Sequence, residues 1–189
     1  GLGLASAGNP DLQWEKANQT DVGIDLSFFN GALTFTADAF VKDTKNLLYS
    51  KPTAATTGFT TYVCNIGSMR NRGLEFTLSG TLARRAFTWR SDFNMSFIRN
   101  KLTALLDDSN VVTTDSMHAL KVGKEVGSFY MVKAKGIYQY DEEVPEKLYA
   151  QGVRAGDVIY EDVNNDGLID STNDRQFVGS ANPKFTGGF

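Results

Sequence analysis

The sequence predicts an all-β protein built from antiparallel strands. Apolar and polar residues alternate over two long stretches, and each stretch folds back at a turn that keeps apolar residues opposite one another. Composition agrees: 13 Phe, 7 Tyr, 2 Trp and 18 Gly beside 4 Pro in 189 residues describe an aromatic, turn-rich chain.

The first hairpin spans residues 20–42. Asn30-Gly31 is the dipeptide that a tight type I′ turn demands, because both central residues need positive φ. With Phe29 opposite Ala32, Phe28 faces Leu33, Leu26 faces Phe35, Ile24 faces Ala37 and Val22 faces Ala39. The alternate positions are polar or tiny: Gly23, Asp25 and Ser27, then Thr34, Thr36 and Asp38. Side chains alternate across a strand, so this ribbon has one greasy face and one wet face. Roughly ten residues of that pattern cross a bilayer in a barrel. The same pattern can also floor a soluble sandwich.

The second hairpin spans residues 73–98. Leu74, Phe76 and Leu78 alternate with Glu75, Thr77 and Ser79. After a connection over 83–86 the pattern resumes at Phe87, Trp89, Phe93, Met95 and Phe97, with Arg90, Asp92 and Asn94 on the other side. Pairing Leu82 with Phe87 sets Phe76 opposite Phe93 and Leu74 opposite Met95, and leaves Ser91 opposite Leu78 as a mismatch.

The connections favour the membrane over the sandwich. Turns at 30–31 and 83–86 are tight, whereas 43–72 and 99–182 read as long polar loops. Outer-membrane barrels have short turns at one end and long extracellular loops at the other, with aromatic girdles at both interfaces. Phe28, Phe29, Phe87 and Trp89 gather at the short-turn end as such a girdle would. A compact soluble domain seldom carries a structureless loop as long as 99–182. Four strands cannot close a barrel, so the chain is expected to be part of something larger; its start at Gly1 without methionine suggests a fragment or a processed product.

Other classes fall away on residue counts. Net charge is −3 with no long basic run, which argues against nucleic acid. A single cysteine, Cys64, builds neither a disulfide framework nor a thiolate cluster, and a single histidine, His118, builds no multi-histidine zinc site. There is no G-x-S-x-G elbow and no coherent catalytic set, so a non-enzymatic role is expected. No apolar run approaches a membrane helix and no signal peptide is visible.

Within 99–182, Val132–Tyr140 alternates weakly as a strand would, and Gly156–Tyr160 reads as a short strand. Residues 105–118 read as a solvated hairpin or coil, and Asp141-Glu142-Glu143 as a solvated charge run. Tyr130, Tyr138, Tyr140 and Tyr149 are candidate sugar-stacking platforms, with loop packing as their other use.

Asp162–Asp170 has the spacing of a calcium loop. Oxygens at positions 1, 3 and 5 converge, Gly at 6 allows the sharp turn, and the position 7 carbonyl ligates. Asp162, Asn164 and Asp166 are the side-chain candidates, Leu168 supplies a carbonyl, and Asp170 binds directly or through water. Position 12 is Asn173, so Asp174 is expected to close the set. The expected cofactor is a structural Ca2+ that staples the loop; flanking helices are not expected, which argues against a regulatory EF-hand pair.

Taken in order, several segments resemble one family. They are Asn9–Lys16, the hairpin from Gly23 to Leu48 with its Lys45-Asn46-Leu47-Leu48 end, and Asn65–Glu75. Gly156-Asp157 leading into the acidic loop, and Gly179 followed by Asn182-Pro183, complete the set. The chain resembles the C-terminal part of the barrel in SusC/RagA-type TonB-dependent outer-membrane transporters. That resemblance implies residues 1–189 are antiparallel strands of a barrel of the 22-strand type, lacking plug, TonB box and terminal strand. It implies import of glycans or peptides, a SusD-like surface lipoprotein as partner, the TonB complex as energy source, and outer-membrane lipid around the wall. The chain departs from the family's acidic loop by one extra residue before Asp174. The rival expectation is a secreted, calcium-stabilised β-sandwich that binds carbohydrate.

Overall fold

The computed structural model describes residues 8–84, 86–105 and 111–189. They form two compact units. One is built on the chain before residue 106 together with Lys121–Glu125 and Pro183–Phe189; the other comprises Val111–Leu120 and Val126–Asn182.

The first unit is a single antiparallel sheet. Its strands are β1 (Lys16–Phe28), β2 (Leu33–Pro52), β3 (Thr61–Arg84) and β4 (Phe87–Leu105), each paired with its neighbour in sequence. Thr186–Gly188 adds a short strand alongside Ser96, Met95 and Asn94 of β4. An up-and-down meander such as β1–β4, each strand joined to the next by a local connection, is the topology from which barrels are closed.

The first hairpin has the register that alternation predicts, with Phe28 opposite Leu33 and Val22 opposite Ala39. Its turn is wider than the expected pair of residues. Phe29, Asn30 and Gly31 all take positive φ (54°, 55° and 85°), and the amides of Gly31 and Ala32 bond back to the carbonyls of Phe28 and Phe29.

The second hairpin differs by a slip of two residues. Arg84 pairs with Phe87 and Leu82 with Trp89, so Leu78 meets Phe93, Phe76 meets Met95 and Leu74 meets Phe97. A slip of two preserves which face every side chain occupies, so alternation alone cannot detect it. The Ser91–Leu78 mismatch was the clue: Ser91 in fact faces Gly80, and Leu82, Leu78, Phe76 and Leu74 each gain a large apolar partner.

The segment expected as a loop over 43–72 is mostly strand. β2 runs to Pro52 and β3 starts at Thr61, joined through a single 3-10 turn at Ala55–Thr57. Beyond Val41 the run 42–46 is polar on both faces and a bulge at Leu47 and Leu48 breaks the alternation, so the period-2 signal vanishes while backbone pairing continues.

The second unit holds the remaining small elements. These are β5 (Val112–Thr113), β6 (Ala119–Leu120), β7 (Ser128–Val132), β8 (Ala134–Ile137), α1 (Glu146–Ala150), β9 (Val158–Tyr160) and β10 (Arg175–Ser180). They form three two-stranded sheets, β5 with β6, β7 with β10 and β8 with β9. Of the weak strand expected over 132–140, Ala134–Ile137 is β8, Val132 ends β7 and 138–140 lie outside any strand; the one expected over 156–160 is β9. Of residues 105–118, those from 106 to 110 lie outside the described residues, and 111–118 lead through the β5–β6 hairpin. The unit's core is small: buried Tyr138, Val144 and Leu148, with Val153, Ile159 and Ile169 packed against them.

Candidate functional site: a two-faced wall and an acidic loop

One face of the large sheet carries apolar side chains over a defined height, with Ser91 and the facing Gly80 as its small interruptions. On β4 this band runs from Phe87 to Phe97, about ten steps of roughly 3.3 Å, or about 25 Å of height at a tilt of about 40°. That is the thickness of the hydrocarbon-facing band of an outer-membrane barrel. The side chains are exposed, Val22 by 67% and Ile24 by 56%, so nothing in the described chain covers them. They tile one another: Phe35 stacks on Phe76 and Phe76 meets Phe97 edge-on, both at 6.4 Å between ring centroids. At the short-turn end Phe87 and Trp89 lie 6.4 Å apart, and Phe28 and Phe29 are exposed at the same end of the sheet.

The opposite face is polar and hydrogen-bonded. Thr36 Oγ1 donates to Asp25 (2.7 Å), Ser96 Oγ to Glu75 (3.2 Å), and Arg90 pairs with Asp92 (3.0 Å). Asp21, Asp25, Asp38, Glu75 and Asp92 outnumber Lys42 and Arg90 there. Gly73 lies on this face beneath the Phe40 ring, and a Cβ at that position would fall 2.4 Å from Phe40 Cε1. Glycine is therefore required by the close approach of the ring.

The acidic loop leaves β9 and returns to β10, so strands flank it instead of helices. Asn165 and Gly167 take positive φ (57° and 79°), which makes the sharp turn that the spacing predicts. Asp162 Oδ2 accepts the Gly167 amide at 2.7 Å, while its Oδ1 is buried and without a partner among the described residues. Asn164 Oδ1 accepts the Asp166 amide (3.3 Å), and Asp166 accepts the Leu168 amide and the Asn164 side-chain amide, each at 2.8 Å. Lys147 of α1 donates to the Asp166 carbonyl.

Asp170 accepts the amides of Thr172 (2.6 Å) and Asn173 (2.7 Å); bonds from Asn173 foremost, then Thr172, hold its carboxyl below the ordinary aspartate range. Asp174 is fully buried and clasps the loop, Oδ1 accepting the Val163 amide and Oδ2 the Asp170 amide, both at 2.8 Å. Glu161, just before the loop, is held below the usual glutamate range chiefly by Lys133 (3.1 Å) and then by Gln176 (3.0 Å). Among the described residues no three acidic, histidine or cysteine side chains converge on one point. The donor set of the loop is instead mixed carboxylate, amide and carbonyl oxygen, the set a hard cation takes.

Among the tyrosines, Tyr138 is buried in the core of its unit. Tyr130 packs 5.0 Å from Phe177, and Tyr149 lies under the Arg154 guanidinium at 3.7 Å. Tyr140 is 66% exposed and is the open ring of the four. The basic end of the greasy face was not foreseen. Its signal was present: continuing the alternation past Leu74 and Phe97 gives Arg72, Arg70, Arg99 and Lys101.

A meander with one bare apolar face of bilayer height and one hydrated, acidic face defines a segment of an outer-membrane β-barrel wall. The comparisons agree. Residues 2–183 match the family model "TonB dependent receptor-like, beta-barrel". A TonB-dependent receptor of Formosa agariphila is 33% identical over all of this chain and 21% of its own length. The TonB-dependent receptor SusC of Bacteroides thetaiotaomicron is 30% identical over 86% of this chain and 16% of its own length. A solved structure of the RagAB peptide transporter superposes over the whole chain and 20% of its own, at 26% identity and a TM-score of 0.79. The chain belongs to the TonB-dependent receptor β-barrel family, of SusC/RagA type, and spans about a fifth of the length of the relatives it matches. Such relatives are receptors and transporters of the outer membrane, not enzymes.

Proposed function

We propose that this chain is part of the wall and outer loops of an outer-membrane importer for glycans or peptides. The observation that carries the reading is the bare apolar band between Phe87 and Phe97, backed by a hydrated, acidic face. Peptide import is what the RagAB neighbour performs, which supports the substrate class. In the whole protein the TonB complex powers uptake, and a SusD-like surface lipoprotein shares ligand capture. A sandwich would bury the greasy face under a second sheet; its exposure favours the barrel.

The acidic loop's role in this reading is a calcium staple. Asp162, Asn164, Asp166, the Leu168 carbonyl and Asp170 supply the oxygens, and Asp174 closes the loop. The unpartnered, buried Asp162 Oδ1 supports it, as does the left-handed turn at Asn165 and Gly167. Carboxylates that already accept one N–H keep lone pairs for an ion. EDTA is expected to raise protease cleavage within 156–178 and added Ca2+ to restore protection; cleavage indifferent to both contradicts the staple.

The localisation test is a fractionated immunoblot of the source cells with an antibody to residues 99–182. Since 20.7 kDa is about a fifth of its relatives' length, a band near 100 kDa in the outer membrane is expected. A band near 20 kDa in a soluble fraction overturns the importer and leaves the secreted sandwich.

A further inference from the structure

Past the apolar band, the outward face turns abruptly basic. Three pairs of directly opposed residues there carry like charge: Lys16 with Lys45, Arg70 with Lys101, and Arg72 with Arg99. Like charges directly opposite on one sheet face repel. Asp43 is the one carboxylate at these strand positions, and Arg70 already takes it in a two-pronged bridge at 2.7 and 2.9 Å. Arg72 is exposed, and its guanidinium makes no hydrogen bond or ion pair among the described residues. Arg99 is half-buried, its Nη1 fixed by the carbonyls of Ile98 (3.0 Å) and Lys184 (2.7 Å), so its fork is held in place beside Arg72. This cluster stands on a chain whose net charge is −3.

Next to it the greasy face is hollow. An open groove of about 500 Å3 counts Val22, Ala39, Leu74 and Phe97 among its lining residues, together with Arg72 and Arg99. Guanidinium forks suit phosphate geometry, and basic sites at membrane level bind anionic lipid headgroups. The end opposite the short turns faces outward in such barrels.

We propose that this corner docks a phosphorylated glycolipid of the outer leaflet. Arg72, Arg99 and Lys101 hold its phosphates, and an acyl chain lies in the hollow beside Leu74 and Phe97. The proposal rests on the barrel reading and its orientation.

The test uses the full-length receptor purified from outer membranes in mild detergent, with retained lipid identified by native mass spectrometry. Wild type is expected to carry the glycolipid. Arg72→Gln/Lys101→Gln removes two exposed cations and is expected to lower occupancy by about thirtyfold. Arg72→Lys restores part of it, and Lys42→Gln, on the other face, leaves it unchanged. In a Cys64→Ser background, Val122→Cys, in the segment bonded to the far end of β4, is expected to react with an impermeant maleimide on intact cells. Labelling with equal lipid retention in wild type and double variant overturns the docking site and leaves the barrel standing. Labelling only after lysis overturns the orientation and the docking site together. Retention of phospholipid in place of glycolipid, or retention indifferent to phosphatase treatment of the glycolipid, also overturns the site.

Discussion

Asp174 shows how much of the acidic loop one side chain can organise. It is fully buried, and its two oxygens hold the amides of Val163 and Asp170, eleven and four residues away. Asp174→Ala leaves both donors without partners, at about 1–3 kcal/mol each. Hydrogen exchange at the Val163 and Asp170 amides is expected to accelerate by several tens of fold; unchanged protection contradicts the clasp. Asp170 makes a second prediction, through pH. Its folded-state pKa is lowered, first by the Asn173 amide, so its stabilising contribution is fully present above the unfolded value of about 3.9. That contribution is lost as pH falls through the lowered folded value. Amide exchange at Thr172 and Asn173, corrected for intrinsic rate, is expected to stay slow at pH 5 and to rise below about pH 4. A rise already complete at pH 5 contradicts it. The spacing of Asp162, Asn164 and Asp166 was legible because it lies within nine residues; the roles of Asp174's two oxygens were not, because they depend on how the loop closes.

At the scale of the strand, each position's face matters more than its identity. Phe93 lies near the middle of the apolar band and Asn94 beside it faces the polar side. Phe93→Arg in the full-length receptor is expected to cost about 2–4 kcal/mol of folding stability, and Asn94→Arg little. Denaturant titration in lipid vesicles measures both; equal costs contradict the assignment of faces. Faces were readable from sequence because Leu74–Leu78 and Phe93–Phe97 alternate without error. Register in the second hairpin was not, since a shift of two leaves that alternation intact. Nor was strand length, because Arg70, Asn71 and Arg72 pair with Lys101, Asn100 and Arg99 with no apolar residue to mark a face.

At the scale of the molecule, the wall and the acidic-loop unit differ in how each is held together. The wall's long strands are joined by continuous backbone ladders and carry their apolar side chains outward, so lipid supplies the environment that a buried core supplies elsewhere. The second unit has a conventional, small core at Tyr138, Val144 and Leu148. Its arrangement was barely legible, since its strands are two to six residues long and too short for periodicity to speak.

The measurement that tests this account most directly is a cysteine scan of residues 92–98 in the full-length receptor, in intact outer membranes and a Cys64→Ser background. A fluorophore at each position would be challenged in turn with a lipid-soluble and a water-soluble quencher. The account predicts strict alternation: lipid-phase quenching at 93, 95 and 97, aqueous quenching at 92, 94, 96 and 98. A stretch shielded from both quenchers at every odd position would mean a protein layer covers the apolar face, and the barrel wall would give way to the sandwich.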